Sequence, residues 1–437
     1  MRYCSSALLA GLLLITGCTA QEATKSSTSA TPQPPAESRL VPAIPTAPLA
    51  LPPTTPDPTT SAIVQKYLNQ LGYPQSFQGV WIQSDTALLA NHQGTTPLSA
   101  ASLTKVATSL AALQTYGVDH RFETVIGTDG TVENGVVKGN LMVQGSNDPF
   151  FVWEEAIALG NTLNRLGIKQ VTGDLIVTSG FFMNFETDLG KAGTLFKQGL
   201  NSKTWSTEAI EQYQTLPAGT PKPEITIAGT VKAVTTPPKF TPIARHKSLP
   251  LAELLKKMNR FSNNAMAEII ASSIGGAKVV SFKAAQAAGV PQTEVILVNG
   301  SGLSPENRIS PRAVCSMFLA IDRLLKPVNM TIGDIFAIVG TDEGILEKRK
   351  LPIGLVTKSG SLNEVSALAG ALPTSQKGVV WFVIMNGGGA NLEGFRAGQE
   401  TLVNTLATQW GRVTTVPAEI AANRDRANLK SVTEKAN

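Results

Sequence analysis

The serine and lysine of Ser102-Leu103-Thr104-Lys105 lie three positions apart and could together carry out nucleophilic chemistry. This spacing places both side chains on one helical face, so the lysine nitrogen can approach the serine hydroxyl. A lysine whose pKa is lowered by burial and nearby cations can take the serine's proton. The motif therefore predicts a serine nucleophile, Ser102, with Lys105 as its base. The structural alternative is a helix-capping serine near a surface lysine.

A second motif, Ser262-Asn263-Asn264, falls where one predicted helix ends and the next begins. Serine and asparagine are common at such junctions, so one interpretation is a turn with a local cap. In the functional interpretation, Ser262 relays a proton to a leaving group and Asn264 hydrogen-bonds the substrate's backbone.

The third motif, Lys358-Ser359-Gly360, follows a predicted strand over residues 353–357. A lysine beside a hydroxyl offers a cationic, hydrogen-bonding site for a carboxylate. The glycine lets a substrate backbone lie against the strand edge. The alternative is an ordinary exposed strand end.

The elements that must position these motifs follow from hydrophobic periodicity. Helical spacing of apolar residues predicts helices after Pro97, near 251–258, near 269–274 and from about 392. Short apolar runs predict a hairpin over 79–90 and three strands over 353–357, 365–372 and 379–385. Strands at both ends with helices between them predict an α+β fold with one sheet built from both ends of the chain. A β-rich stretch, 121–245, is then an insertion.

The amino-terminal sequence predicts an exported protein that is tethered to a membrane. Arg2 precedes an apolar run over residues 7–15 that is too short to span a bilayer and is typical of a signal peptide. Ile15-Thr16-Gly17-Cys18 resembles a bacterial lipobox, which implies cleavage after residue 17, lipidation of Cys18 and a periplasmic location on a membrane. The alternative is an ordinary secretory signal with an incidental cysteine. We expect the mature chain to begin with a disordered linker.

Composition supports these boundaries and excludes several functions. Residues 19–60 contain no glycine or aromatic residue but ten of the 27 prolines, as in a disordered linker. The body covers 61–120 and 246–415, and we expect the polar tail 416–437 to fray. A net charge of +5 over 437 residues gives no support for nucleic-acid binding. Three cysteines and three dispersed histidines exclude a disulfide scaffold and a zinc cage, and Cys315 is expected to be a buried, inert thiol.

The three motifs, in this order, resemble the signature of β-lactamases and penicillin-binding proteins. Longer strings resemble one branch, the class C low-molecular-mass penicillin-binding proteins, which are serine D-Ala-D-Ala carboxypeptidases and endopeptidases. The resemblance runs from about residue 80 to 400. The strings that carry it are Leu110-Ala111-Ala112-Leu113, Gly139-Asn140-Leu141, Asp148-Pro149, Gly173-Asp174-Leu175, Met258-Asn259, Ala267-Glu268, Gly300-Ser301-Gly302-Leu303-Ser304 and residues 358–370.

The resemblance implies a transpeptidase-like fold, with an antiparallel sheet flanked by helices, and a set of roles. Ser102 is acylated by a peptidoglycan stem peptide or by a β-lactam, and no metal or organic cofactor takes part. The remaining implied roles are Lys105 as general base, Ser262 with Lys358 as the proton path to the departing D-Ala, Asn264 as the peptide-positioning residue, Ser359 as the carboxylate-binding residue, Gly360 as the close-approach position, and the N–H groups of Ser102 and Ser361 as the oxyanion hole.

Departures from the family leave other functions open. Asn299 stands where the family usually has aspartate, and 160 residues between Ser102 and Ser262 predict one reduced insertion. The alternatives are a β-lactamase or esterase on the same fold, and a non-catalytic peptidoglycan-binding lipoprotein. No acidic loop typical of class A β-lactamases is found, which disfavours rapid penicillin hydrolysis.

Overall fold

A computed structural model describes residues 55–436. The predicted signal peptide 1–18, its Cys18, and most of the predicted linker 19–60 lie outside the described residues. The linker prediction extends too far at its carboxyl end, because a helix begins at Pro58. The side chain of Asp57 caps it by accepting a hydrogen bond from the Thr60 N–H at 2.8 Å. The proline at the first turn is compatible with a helix start, since its missing N–H would have no partner there.

Ten α-helices and nineteen strands make up residues 55–436. The helices are α1 (Pro58–Leu71), α2 (Thr104–Tyr116), α3 (Trp153–Arg165), α4 (Leu189–Gly199), α5 (Thr207–Gln214), α6 (Leu251–Arg260), α7 (Asn264–Ile274), α8 (Ala277–Ala288), α9 (Pro311–Leu325) and α10 (Leu392–Gln409). The strands are β1 (Gln78–Gln83), β2 (Leu88–His92), β3 (Leu98–Ser99), β4 (Glu123–Thr128), β5 (Thr131–Glu133), β6 (Val136–Lys138), β7 (Leu141–Gln144), β8 (Gln170–Val171), β9 (Leu175–Thr178), β10 (Thr226–Ile227), β11 (Val231–Val234), β12 (Thr241–Lys247), β13 (Val295–Ile296), β14 (Arg308–Ile309), β15 (Ala337–Ile338), β16 (Val356–Leu362), β17 (Val365–Thr374), β18 (Gly378–Asn386) and β19 (Val432–Lys435).

The central sheet joins the two ends of the body, as the strand pattern predicts. Its order is β15-β16-β17-β18-β1-β2, and every neighbouring pair is antiparallel. One face of the sheet packs on α2 and on α6 to α9 through a large apolar core. The opposite face packs on α1 and α10 through a smaller apolar core. An antiparallel sheet flanked by helices is therefore confirmed. The 3₁₀ turn Ala101–Leu103, which holds Ser102, lies against strands β16 and β17 of this sheet, and Lys105 follows in the first turn of α2.

The inserted stretch has its own apolar core, formed within residues 126–244. Four of its strands form a small sheet ordered β10-β8-β6-β5, and five others belong to a second sheet, β11-β9-β7-β4-β12-β19. The β-rich prediction correctly indicated short strands in this stretch but missed helices α3, α4 and α5. Gly160 in α3 and Gly193 in α4 lower local helix propensity, yet each packs closely, against Pro223 and Val231. Tertiary packing overrides propensity here.

The prediction that residues 416–437 fray is wrong. Strand β19 pairs antiparallel with β12 and forms an edge of the insertion's second sheet. Polar residues in and next to this strand meet distant partners: Ser431 donates to the carboxylate of the half-buried Glu155 at 2.8 Å, and Thr433 Oγ1 lies 2.9 Å from Nδ1 of the buried His246. Arg426 also binds Glu253, with Nε 2.7 Å from Oε1. Partners more than 170 residues away cannot be read from local composition, which is why the tail looked unstructured.

Deleting residues 428–437 is expected to lower the melting temperature by about 4–8 °C, because it removes edge-strand hydrogen bonds and leaves the half-buried Glu155 carboxylate without Ser431. Differential scanning calorimetry measures this shift. Lys435→Ala, which changes only an exposed side chain of the same strand, is the control and should melt within about 1 °C of the native chain. A truncated chain that melts with the native one would show that β19 adds no stability.

No single helix among residues 55–436 has the length and apolar character needed to cross a membrane. The pair α7 and α8 meets those criteria only when taken together, and it bends by 82° between the two helices.

Candidate active site

Strand β16 carries the third motif in its interior, which corrects the sequence interpretation. The strand spans Val356–Leu362, so Lys358, Ser359 and Gly360 are strand residues and do not follow a strand that ends at 357. β15 pairs only with Val356 and Thr357. Beyond Thr357 the edge of β16 faces the turn that holds Ser102, which leaves an open strand edge at the site.

Alternation along β16 separates the polar side chains onto two faces. Val356 belongs to the core on the α2 side of the sheet, and Leu355 belongs to the core on the α10 side. Lys358 therefore points toward α2, whereas Ser359 and Ser361 point toward the α10 side. Lys358 is buried, Ser359 is half-buried and Ser361 is exposed. The two hydroxyls thus line the rim of the site, and the lysine lies in its floor.

Ser102 sits in a single 3₁₀ turn, Ala101–Leu103, immediately before α2. Ala101 has φ +44°, a left-handed conformation that is uncommon for alanine. Two glycines permit close backbone approach to this turn. A Cβ on Gly302 would lie 1.9 Å from the Ala101 carbonyl oxygen, and one on Gly360 would lie 2.9 Å from the Ser102 nitrogen. Gly360 therefore brings β16 directly against the backbone N–H of Ser102.

Lys105 lies at the centre of the site. Its Nζ is 3.0 Å from Ser102 Oγ, 2.7 Å from Asn264 Oδ1 and 2.7 Å from the Ser301 carbonyl oxygen. The amide and carbonyl oxygens are acceptors only, so a neutral amine would direct its two N–H bonds at them. Its lone pair would then face the Ser102 hydroxyl. The geometry equips Lys105 to accept the proton of Ser102.

Burial prepares Lys105 for that role. Its side chain is fully inaccessible to solvent. Burial lowers the pKa of Lys105 to about 7, although the Glu268 carboxylate acts in the opposite direction. A substantial fraction of the amine is therefore neutral near physiological pH. The lowered pKa is what the first motif requires if Lys105 is to take the proton of Ser102.

Ser262 and Lys358 form a second serine–lysine pair. Lys358 Nζ donates to Ser262 Oγ at 3.0 Å and to the Ser359 carbonyl oxygen at 2.7 Å. Ser262 has φ +52°, which turns the chain between α6 and α7 and presents its hydroxyl to the lysine. Burial, followed by repulsion from Lys105, lowers the pKa of Lys358 well below its usual range. Lys105 and Lys358 are therefore close enough that a positive charge on one disfavours a positive charge on the other.

Two residues that the sequence analysis gave no role hold the site together. Glu268 on α7 accepts hydrogen bonds from the Gly300 N–H at 3.0 Å and the Ser301 N–H at 2.8 Å. This clamp aims the Ser301 carbonyl at Lys105. Both residues lie in strings that carry the family resemblance, but nothing local indicated that a backbone carbonyl would bind the lysine.

Asn299 accepts the hydrogen bonds that the family's usual aspartate could accept at this position. Its Oδ1 accepts from the Gly302 N–H and from Asn307 Nδ2, each at 2.8 Å. A carboxylate oxygen could accept the same two bonds, so the substitution preserves the loop. Asn307 is fully buried and also accepts from the Val298 and Asn299 N–H groups.

The structure brings together the residues of all three predicted motifs, and two sets of them are joined by hydrogen bonds. Ser102, Lys105 and Asn264 are directly hydrogen-bonded, and Ser262 contacts Lys358. Ser359, Gly360 and Ser361 follow along the adjacent strand edge. Cys18 lies outside the described residues, and its lipidation stays a prediction.

Other chemically capable groups lie away from this cleft. Cys315 is buried in α9, where burial raises the pKa of its thiol far above the usual range. His246 is buried within the insertion, and His120 stacks on Tyr116 with ring centroids 4.6 Å apart. Among residues 55–436, no group of three or more His, Cys, Asp or Glu side chains could hold a metal ion.

A cavity of about 820 Å³ lies beside the carboxyl end of β16. It lies next to Leu303, Leu362 and Ser99, with Arg308 also in its wall. Its volume falls in the range that accommodates small molecules or short peptides. None of the serine and lysine residues of the three motifs lines this cavity.

Acylation of Ser102 is expected to speed up with rising pH, because Lys105 must be neutral to accept a proton. Since its pKa is about 7, the rate should rise nearly tenfold per pH unit well below that value and level off above it. Timed mass spectrometry with benzylpenicillin between pH 5 and 9 measures the profile. A rate that falls as the pH rises through 7 would contradict a neutral-lysine base.

Comparisons with known proteins bear on this geometry. The model of the D-Ala-D-Ala carboxypeptidase 3 (S13) family matches residues 60–192 and 202–409. A relative, D-alanyl-D-alanine carboxypeptidase DacB of Haemophilus influenzae, is 24% identical over 398 residues, covering 68% of this chain and 82% of that protein.

Solved structures share the fold. The predatory endopeptidase Bd0816 of Bdellovibrio bacteriovorus, in complex with immunity protein Bd3460, superposes with a TM-score of 0.67 at 19% identity. The penicillin G-acylated endopeptidase Bd3459 of the same organism, also bound to Bd3460, gives a TM-score of 0.65 at 20% identity. Each comparison covers 81% of this chain and 99% of the other.

Proposed function

Because the chain belongs to the D-Ala-D-Ala carboxypeptidase S13 family, we propose that Ser102 hydrolyses D-Ala-D-Ala bonds of peptidoglycan stem peptides. The protein is thus a serine-type carboxypeptidase or endopeptidase that β-lactams inhibit by acylating the same serine. The observation that carries the proposal is the placement of Lys105 Nζ between Ser102 Oγ, Asn264 Oδ1 and the Ser301 carbonyl.

Acylation begins when neutral Lys105 takes the Ser102 proton as Oγ attacks the penultimate D-Ala carbonyl carbon. The new C–O bond leaves negative charge on the carbonyl oxygen. The N–H groups of Ser102 and Ser361 are proposed to hold that charge, because Gly360 brings the two backbone segments together. Asn264 remains bound to Lys105 while it positions the peptide.

Collapse of the intermediate breaks the peptide bond and expels the terminal D-Ala amine. The proton that Lys105 took from Ser102 passes to that amine through Ser262 and Lys358, which are joined by a 3.0 Å hydrogen bond, and Lys105 becomes neutral again. Water then attacks the ester carbonyl carbon as Lys105 accepts a proton from the water, and Lys105 returns that proton to Ser102 Oγ as the acyl C–O bond breaks. The freed acid and Ser102 complete the cycle, so one peptide bond is hydrolysed per turnover.

The proposed location rests on the amino-terminal sequence. We propose that residues 1–18 direct export, that Cys18 carries a lipid, and that residues 19 to about 57 tether the body in the periplasm. The lipobox-like Ile15-Thr16-Gly17-Cys18 and the proline-rich, glycine-free stretch support this. Mass spectrometry of the membrane-extracted protein should find diacylglycerol on an amino-terminal Cys18. A processed chain that starts elsewhere would contradict the lipid anchor.

Intact-mass spectrometry of residues 55–437 with benzylpenicillin tests the catalytic proposal. The expected result is one stable adduct of the intact drug mass, which peptide mapping places on Ser102. Release of D-alanine from a pentapeptide ending in D-Ala-D-Ala should follow, and penicillin should block it.

Other outcomes separate the alternatives. Penicillin consumed without a persistent adduct would indicate a β-lactamase. An unmodified chain, unchanged drug and intact pentapeptide would favour the non-catalytic peptidoglycan-binding protein.

A further inference from the structure

We propose that Arg396, on the first turns of α10, binds the free α-carboxylate of the substrate's terminal residue together with the rim hydroxyls of β16. The inference rests on the proposed function and assigns part of its specificity. Sequence analysis gave Arg396 no role, since it lies in no catalytic motif and 35 residues beyond Ser361.

The contact that places Arg396 at the site is direct. Its Nη2 donates to Ser361 Oγ at 3.2 Å, and Ser361 is exposed on the open edge of β16. Ser359 points to the same face, roughly 7 Å along the strand. The guanidinium and two hydroxyls therefore form a continuous polar rim, on the face opposite Lys358. A carboxylate at this rim could accept hydrogen bonds from all three groups.

Arg396 also has hydrogen-bonding capacity to spare. A guanidinium has five N–H bonds, and the contacts here use Nη1 for Glu393 and Nη2 for Ser361. The arginine backbone is fixed by the Arg349 guanidinium, which donates to its carbonyl oxygen at 3.3 Å. Arg349 itself is held by Glu400. The Arg396 guanidinium is thus anchored but can still donate hydrogen bonds to both oxygens of a carboxylate.

The charge surroundings favour exchange of Glu393 for substrate. The Glu393 side chain is 82% exposed, whereas that of Arg396 is 32% exposed. A solvent-exposed ion pair contributes little and can open at small cost. The buried Lys105 and Lys358 resist carrying charge together, but an arginine stays protonated. Arg396 therefore brings its guanidinium to the rim of β16 through Ser361.

Two acyl donors that differ only in one charge test the inference. N-acetyl-D-alanyl thioglycolate carries a carboxylate on its leaving group, and its methyl ester does not. In both, Ser102 Oγ forms a bond to the acyl carbon as the C–S bond breaks, and the thiolate that leaves is measured with a thiol-reactive dye. Hydrolysis of the acyl-enzyme then restores Ser102. The native enzyme should favour the carboxylate donor.

Arg396→Ala is expected to lower kcat/KM for the carboxylate donor about ten- to hundredfold, mainly through KM, and to change turnover of the methyl ester by less than about twofold. Arg396→Lys should fall between, because it keeps the charge but loses the planar fork. Glu393→Gln should lower KM for the carboxylate donor alone, which gives a test that does not depend on losing activity. Arg412→Ala removes the same charge beyond the far end of α10 and should affect neither donor.

Equal losses on both donors would overturn the inference, because they would make Arg396 a merely structural residue. Unchanged kinetics in Arg396→Ala would overturn it as well. In either case, native turnover of the two donors would leave the proposed function intact. Native enzyme that released thiolate from neither donor would instead refute the proposed function, and the carboxylate role with it.

Discussion

The Ser102→Ala variant is expected to form no benzylpenicillin adduct and to lose at least about 10⁴-fold in kcat/KM on a D-Ala-D-Ala peptide. The reason is that Ser102 Oγ lies 3.0 Å from the buried Lys105 Nζ, so it is the hydroxyl toward which a neutral Lys105 amine would direct its lone pair. The other serine of the centre, Ser262, hydrogen-bonds Lys358. Removing Oγ removes the atom that forms the covalent bond, and no neighbouring hydroxyl has the same base.

Intact-mass spectrometry after incubation with benzylpenicillin measures this loss. Ser375→Ala, which changes an exposed serine in the β17–β18 turn, is the matched control and should be acylated like the native chain. Circular dichroism and a melting curve should show that Ser102→Ala retains the fold. A stoichiometric adduct on the folded variant would mean that another residue is the nucleophile.

Lys105→Met is expected to lower the acylation rate by about 10³- to 10⁴-fold, the upper range for loss of a general base. Methionine has a similar length and is apolar, so it can fill a position from which solvent is excluded. The variant should therefore fold while Ser102 loses its proton acceptor. Its residual acylation should also lose the rise near pH 7, since the titrating amine is gone.

Timed mass spectrometry between pH 5 and 9 measures both effects. Lys66→Met, on an exposed position of α1, is the control for loss of a lysine and should retain the native rate and pH profile. Acylation of Lys105→Met within tenfold of the native rate would exclude Lys105 as the base. Retention of the same pH profile would assign the titration to another group.

The contact between Ser102 and Lys105 was predictable because it is local. An i, i+3 spacing on a helical face brings the two side chains together whatever the rest of the chain does. The apolar spacing of Leu103, Val106 and Leu110 correctly predicted residues of the large core, but every residue from Thr104 to Leu113 is buried, so this part of α2 has no exposed face. The order of the three motifs, with the longer matching strings, then indicated the family, although the third motif lies inside β16 and not after a strand that ends at 357.

Sequence periodicity failed where packing replaces local preference. Helices α3 and α4 contain glycines that weaken a helix prediction, but these glycines allow close contacts with Pro223 and Val231. The tail was predicted to fray because its polar residues have no local partners. In the fold, Ser431 binds Glu155 and Thr433 meets His246, so the tail becomes an edge strand.

The sequence by itself determined which residues could react and the local pair, Ser102 and Lys105, that we propose begins the chemistry. Only the tertiary structure decided what surrounds that pair. Asn264 reaches Lys105 from 159 residues away, and the Ser301 carbonyl from 196. Lys358 meets Ser262 across 96 residues. Such contacts depend on the path of the whole backbone, and burial by that path is what lowers the pKa of Lys105 enough for it to act as a base.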